Sequence, residues 1–205
     1  MEYYIYNVPV FVLGEVEASV DLPTFCQNVE DVLPAGLLRN IDVIYIGNFK
    51  ELDGRNAAFS NGAIYMTLDE PTNFDMLENF VHETAHSLEA DNGWEIYEDN
   101  LVNEFLGKRR RLRSILEGEG FFIDPGLYDS TEYSRKFDEF LADTVGYPLL
   151  LSLTAGLFVS PYGATSVQEY FANGFEKYFL DGPKSVQNIS PVLYQKIDTV
   201  LNDNA

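Results

Sequence analysis

Residues 71–93 read Pro-Thr-Asn-Phe-Asp-Met-Leu-Glu-Asn-Phe-Val-His-Glu-Thr-Ala-His-Ser-Leu-Glu-Ala-Asp-Asn-Gly, and this stretch decides the fold of the chain. Apolar side chains recur every three or four residues between Phe74 and Leu88, which is the pattern of a helix with one buried face. The segment Pro71-Thr72-Asn73 predicts the start of this helix, and Asn92-Gly93 predicts its end.

Both histidines of the chain lie on this predicted helix, at His82 and His86. Residues four apart on a helix differ by about 40° in azimuth, so the two imidazoles face the same side. That spacing lets two ring nitrogens reach one Zn²⁺ at about 2.0–2.1 Å each. Glu83 lies on the adjacent flank, where it can contact a metal-bound water without ligating the metal. The pattern therefore predicts a zinc site, and two incidental surface histidines are the alternative.

A catalytic zinc site needs three protein ligands and one open position. Because the chain has 2 histidines, the third ligand must be a carboxylate. Two helical segments offer one beside aromatic residues, at Glu139, which precedes Phe140, and at Glu169, which precedes Tyr170-Phe171. The residues alone leave both candidates open.

The remaining pattern predicts an α+β fold, a single domain over residues 1–205 with strands first and helices after. The strand and turn signals comprise a strand at Tyr3–Leu13, a helix at Leu22–Leu33, a strand at Ile41–Ile46, a hairpin turn at Asn61-Gly62 and a returning strand at Ala63–Leu68. Further helices are expected at Trp94–Glu117, Thr131–Val145, Pro148–Phe158, Ser166–Leu180, which stops at Asp181-Gly182-Pro183, and Pro191–Leu201.

Charge and cysteine content narrow the class of protein. The 13 Lys and Arg residues against 33 Asp and Glu residues leave a net charge of −20, which argues against nucleic acid or an anionic membrane as partner and favours neutral or basic substrates. The single cysteine, Cys26, cannot form an internal disulfide and is expected in the core rather than as a nucleophile. No targeting segment or membrane span is visible, so a cytoplasmic location is expected, with export by another route or a viral origin left open.

A basic run stands out against this acidity, at Lys108–Arg113. We interpret it as a solvated helix face that pairs with local carboxylates. A contact for an acidic substrate is the alternative.

The histidine motif, taken with the segment Pro161-Tyr162-Gly163 and the run Glu169-Tyr170-Phe171-Ala172, resembles the catalytic domain of the anthrax lethal factor type. This group of zincin metalloproteases includes the bacterial Pro-Pro endopeptidases. Its members combine the His-Glu-x-x-His helix with a Tyr-Gly segment and a Glu seven residues after that Tyr. The resemblance covers residues 61–88 and 161–179.

The resemblance implies a zinc-dependent metalloendopeptidase with one catalytic Zn²⁺. Its fold would be a small mixed sheet packed on an active-site helix, followed by a helical C-terminal half. Glu169 would be the third zinc ligand beside His82 and His86, Glu83 the general base, and Tyr162 the phenol that stabilises the oxyanion. A protein or peptide substrate would lie extended along an edge strand, for which Ala63–Leu68 is the candidate.

One position departs from the family pattern. Members usually carry an acidic residue four after the ligand Glu, and this chain has Asn173. An amide can accept a hydrogen bond from a ligand imidazole but raises its basicity less than a carboxylate does, and Asp143 is an alternative for that role.

Alternatives remain for the other assignments. Glu169 could close a capping box with Ser166, Tyr162 could pack at the edge of the core, and Glu139 could be the ligand in the Glu-x-x-Ala-Asp form of other zincins. The alternative functions are a zinc-stabilised interaction module that has lost catalysis and a zinc amidase acting on a non-protein substrate.

Overall fold

A computed structural model of the protein describes residues 3–204 and shows an α+β fold. The strands are β1 (Tyr3–Ile5), β2 (Val8–Val12), β3 (Val43–Ile46), β4 (Ala57–Ser60) and β5 (Ala63–Met66). The helices are α1 (Leu22–Val32), α2 (Asn73–Ile96), α3 (Asp99–Gly118), α4 (Arg135–Glu139), α5 (Tyr147–Leu153), α6 (Val167–Leu180), α7 (Pro183–Ile189) and α8 (Pro191–Asp203). The predicted class and the helical C-terminal half are confirmed.

The strands form one five-stranded mixed sheet in the order β1-β2-β3-β5-β4. β1 with β2 and β4 with β5 are antiparallel, whereas β2 with β3 and β3 with β5 are parallel. The expectation that Ala63–Leu68 is an edge strand is therefore wrong, because β5 lies between β3 and β4. Its Ile64 and Met66 are fully buried, as suits an interior strand, and the edge on this side is β4.

The sheet has one apolar and one aromatic face. Ile44 and Ile64 are fully buried on one face. On the other face Tyr45 stacks between Phe11 at 5.8 Å and Tyr65 at 5.5 Å, measured between ring centroids. Such cross-strand pairs stabilise the sheet and hold β2, β3 and β5 in register.

Two turns show how local signals succeed and fail. The Asn61-Gly62 hairpin is confirmed, with left-handed φ angles of 50° and 77°, and it joins β4 to β5 as such turns do. The single strand predicted at Tyr3–Leu13 is instead the β1–β2 hairpin, whose turn includes Tyr6 at φ 53°. The Tyr6 hydroxyl donates to the carbonyl of Leu33 at 2.9 Å, a tertiary contact that supports this unusual turn.

Several helix boundaries differ from prediction. α2 continues past Asn92-Gly93 and ends at the fully buried Ile96, because burying an Ile side chain, about 1.5–3 kcal/mol, outweighs a helical glycine, about 1 kcal/mol. α3 accordingly begins at Asp99 rather than Trp94. The helix predicted over Thr131–Val145 begins at Arg135 and then winds as a π-helix over Phe140–Gly146.

The remaining helical segments follow the predictions more closely, with two exceptions. α6 and α8 lie where helices are expected, whereas α5 ends at Leu153, short of the predicted Phe158. The sequence does not predict α7, because Asp181-Gly182-Pro183 indicates the end of a helix, whereas Pro183 also begins this short one. A proline suits the first turn of a helix, so the same residue can end one helix and begin the next.

The described residues divide into two compact units. The first comprises residues 3–93 and 200–204, with the sheet, α1 and most of α2. The second comprises residues 94–199, with α3 to α7 and most of α8. A single domain over residues 1–205 stays a prediction. Among the described helices, none is both long and apolar enough to span a membrane.

Candidate metal centre

The two histidines lie side by side on α2 as predicted. The imidazoles of His82 and His86 are partly buried, their ring centroids are 5.0 Å apart, and the rings meet edge to face. A ring nitrogen of one lies within 4.8 Å of a ring nitrogen of the other. Val81 and Ala85 on the same turns are fully buried, which fixes the rotation of the helix and hence the direction of both rings.

His86 has a carboxylate partner that the sequence analysis missed. Its Nδ1 lies 2.8 Å from Oε1 of Glu89, three residues along α2. An ionised carboxylate only accepts hydrogen bonds, so a His86 ring that donates from Nδ1 to Glu89 would bind a metal through Nε2. The signal was present, since residues three apart are neighbours on a helix surface.

Glu83 is directed towards the edge of the sheet. It is 9 % exposed, and its Oε2 accepts a hydrogen bond from the Phe59 N–H of β4 at 2.7 Å. Next to the first residue of β4, the Thr67 N–H donates to Asn56 O at 2.8 Å, so these two residues form a hydrogen-bonded pair. Hydrogen-bonded and non-bonded pairs alternate along an antiparallel ladder, so the backbone N–H and C=O groups of Ala57 and Phe59 face away from β5. Glu83 therefore lies against the free edge of the sheet.

Buried hydroxyl groups hold this part of α2 in place. The Thr84 hydroxyl donates to Phe80 O at 2.8 Å and the Ser87 hydroxyl donates to Thr84 O at 2.7 Å. The side chain of Asn40 donates to Ser87 O at 2.9 Å. These polar groups are satisfied without water, so the turn that bears the histidines is locked by hydrogen bonds as well as by packing.

Glu169 and Tyr162 both belong to the second unit. Glu169 lies in the first turn of α6 and is partly buried. Its N–H donates to the Ser166 hydroxyl at 3.1 Å, which confirms Ser166 as the helix cap and fixes the backbone of Glu169. Tyr162, also partly buried, opens a short 3₁₀ turn, Tyr162–Ala164, just before that cap.

A chain of hydrogen bonds connects the Tyr162 turn to α6. Gly163 N–H donates to the Ser160 hydroxyl at 3.2 Å. The Ser160 hydroxyl donates to Oδ1 of Asn173, and Nδ2 of Asn173 donates to the Glu169 carbonyl at 2.8 Å. We call this chain the Ser160–Asn173 relay.

Arg109 holds the other end of the same turn. It is 1 % exposed and donates to Ala164 O at 2.6 Å and to Thr165 O at 3.1 Å. A third bond reaches Leu127 O, and the guanidinium lies 4.0 Å from the centroid of the Phe137 ring. Burial lowers the pKa of Arg109 to about 10, which leaves it charged at pH 7.

The basic run is therefore not one solvated face, and that interpretation is wrong for two of its members. Lys108 donates to Leu157 O and Ile189 O at 2.6 Å each, and Arg109 is buried. Arg110 and Arg113 do pair with carboxylates at the surface, as expected. The reason is geometric, because consecutive residues on a helix point 100° apart and must cover every side of it.

The alternative carboxylates lie at the surface of the second unit. Glu139 is exposed and forms an ion pair with Arg135 at 2.7 Å, and Asp143 is exposed on the π-helical segment. Cys26 is buried on α1 as predicted, and burial raises the pKa of its thiol to about 11.

Comparison of the chain with the models of known protein families, with curated proteins and with solved structures gives no match.

Proposed function

We propose that the protein is a zinc-dependent metalloendopeptidase of the zincin type, with Zn²⁺ held by His82, His86 and Glu169. The observation that carries the proposal is the arrangement on α2. Two imidazoles lie one turn apart with ring nitrogens within 4.8 Å, and Glu83 lies between them in sequence, directed at the free edge of the sheet. The same two histidines and Glu169 make up a group of residues that could hold a metal ion, and each offers one ligand atom. This group supports Glu169 as the third ligand.

The residues fit this ion. Two imidazoles and a carboxylate are a ligand set that catalytic zinc sites use, with the fourth position open. The bond from His86 Nδ1 to Glu89 is the kind that orients a ligand imidazole and raises its basicity. Glu139 is a less suitable third ligand, because it pairs with Arg135 at the surface.

Zn²⁺ would supply Lewis acidity and lower the pKa of a coordinated water to about 7. Glu83 would then accept the proton of the attacking water and pass it to the leaving amine as general acid. The Tyr162 hydroxyl would donate a hydrogen bond to the oxygen that becomes negatively charged. One well-placed donor of this kind is worth about 3–4 kcal/mol of transition-state stabilisation.

The substrate would be an extended peptide added to the outer edge of β4. This strand replaces Ala63–Leu68 as the docking strand, because β4 is the edge and β5 is interior. The outward backbone groups of Ala57 and the outward carbonyl of Phe59 suit strand addition, whereas the Phe59 N–H is already bonded to Glu83. The bond between Phe59 N–H and Glu83 supports this placement, since it joins the proposed base to the strand along which the peptide would lie.

The test uses metal content and peptide cleavage together. The purified protein should bind one zinc per chain, measured by elemental analysis, and cleave members of a degenerate peptide library. Glu83→Gln should retain zinc and lose cleavage, whereas Glu169→Ala should lose zinc. Asp91→Asn is the matched control, because Asp91 is an exposed acid on the same helix and its substitution should change neither.

Each contrary result has a distinct meaning. Normal cleavage by Glu83→Gln would refute the mechanism, and zinc retained by Glu169→Ala would refute the ligand set. A wild-type protein that binds zinc but cleaves no peptide would refute the endopeptidase proposal. Peptidoglycan fragments assayed in parallel would then separate an amidase from a module without catalysis.

A further inference from the structure

Asn173 occupies the position where the resembling family usually has an acid, and its contacts identify a different task. It is 6 % exposed. Its Oδ1 accepts from the Ser160 hydroxyl and its Nδ2 donates to the Glu169 carbonyl. Both ends of the amide are thus used inside the second unit, and the acceptor end is already occupied by Ser160.

The relay that these bonds form joins two backbone points of functional interest. One end is the carbonyl of Glu169, the proposed zinc ligand, and the other is the N–H of Gly163, which follows the proposed oxyanion donor Tyr162. Arg109 binds the carbonyls of Ala164 and Thr165 on the far side. The Tyr162 turn is therefore held at one end by the partly buried Ser160 and at the other by the buried Arg109.

We propose that Ser160 and Asn173 are positioning residues that hold the Tyr162 phenol at a fixed place relative to the ligand Glu169. This inference rests on the proposed function, but its structural part does not require zinc. A hydrogen-bond donor must meet the developing charge within a few tenths of an ångström, and a misplacement of about 1 Å costs about a hundredfold in rate. By fixing the backbone beside Tyr162, these partly buried bonds restrict where the phenol can lie.

The relay also predicts whether one substitution raises or lowers activity. A carboxylate at position 173 could still accept from Ser160, but it has no hydrogen to donate to Glu169 O. It would also place a negative charge beside that carbonyl oxygen. Asn173→Asp, which restores the family's usual residue type, should therefore lower activity. If Asn173 were a weakened partner of a ligand histidine, the same substitution would raise activity or zinc affinity.

The kinetic test measures kcat, KM and zinc affinity of the full chain on a cleaved library peptide. Asn173→Asp and Ser160→Ala should each lower kcat by tenfold to a hundredfold, with KM and zinc affinity changed less than threefold. In a Tyr162→Phe background the same substitutions should lower kcat less than threefold further, because the relay acts through the phenol. Ser114→Ala, an exposed serine on α3, is the control and should change nothing.

A second measurement is independent of zinc and of activity. Amide hydrogen exchange in the metal-free protein should be at least tenfold faster at residues 162–165 in Ser160→Ala, with residues 174–180 of α6 unchanged. Unchanged exchange would overturn the relay. The relay would also be overturned if Asn173→Asp kept or raised the wild-type kcat, or if the substitutions lowered kcat as much in the Tyr162→Phe background as in the wild type. Either result would leave the proposed peptidase intact. A protein without peptidase activity would refute the proposed function and the positioning role, and the exchange result would still decide whether the relay orders the turn.

Discussion

Replacement of Arg109 by methionine is the sharpest test of how the second unit is held together. The guanidinium donates to the carbonyls of Ala164, Thr165 and Leu127 from a site that is 1 % exposed. Each buried carbonyl left without its donor costs about 1–3 kcal/mol. Methionine keeps part of the packing against Phe137, so we expect a net loss of about 3–5 kcal/mol in the free energy of unfolding, which is the lower part of the range for three unpaired carbonyls.

Arg110→Met is the matched control, one residue along the same helix. The Arg110 side chain is 64 % exposed and lies 3.0 Å from Asp129, and such surface pairs contribute about 0–1 kcal/mol. Urea unfolding at pH 7, monitored by far-ultraviolet circular dichroism, compares both variants with the wild type. The comparison holds if the unfolding free energy depends on urea concentration with the same slope in all three proteins. Equal costs for the two neighbours, or a cost below about 1 kcal/mol for Arg109→Met, would refute the role assigned to the buried guanidinium.

Three further predictions concern titratable groups that are buried or partly buried. Burial lowers the pKa of Lys108 to about 8, so the folded protein releases this proton before the unfolded chain does. Between pH 8 and about 10 the wild type should therefore gain unfolding free energy relative to Lys108→Met, measured by urea unfolding at each pH. Burial raises the pKa of Glu70 above its ordinary value of 4.5, so above that pH the folded protein holds this proton more tightly than the unfolded chain does. The free energy of unfolding should therefore fall as the pH rises from 4.5 through the raised pKa. Glu70→Gln should flatten this decline, and an unchanged pH profile would contradict the assignment. Burial also raises the pKa of Cys26 to about 11, so iodoacetamide at pH 8 should modify it at least tenfold faster in urea-unfolded than in folded protein, and equal rates would count against it.

The features that could be predicted from sequence depend on residues close together in the chain. The periodic apolar pattern predicted the part of α2 that bears His82 and His86, because helix formation and side-chain direction both follow from spacing. Asn61-Gly62 predicted a hairpin, since few residues tolerate two left-handed φ angles. Ser166 predicted the start of α6, because its hydroxyl satisfies an N–H three residues on.

The features that could not be predicted depend on partners far along the chain. A hairpin signal does not say which of its two strands lies outside, and that depends on whether β4 or β5 pairs with β3. The family resemblance suggested β5 as the edge, whereas β5 pairs with both β3 and β4. The burial of Arg109 likewise depends on carbonyls at residues 127, 164 and 165, which no local pattern reveals.

The same distinction separates reactive residues from the residues that support them. A metal ligand or a general base must be one of a few residue types at a set spacing, so His82, Glu83 and His86 could be proposed from sequence. A supporting residue need only offer a donor or an acceptor in the right place, and many residue types can do so. Comparison with a family therefore makes Asn173 look like a weakened acid, whereas its contacts show an amide whose donor and acceptor are both used. Because only an amide offers both, the conservative change to aspartate is a more severe test of the site than removal of a surface carboxylate.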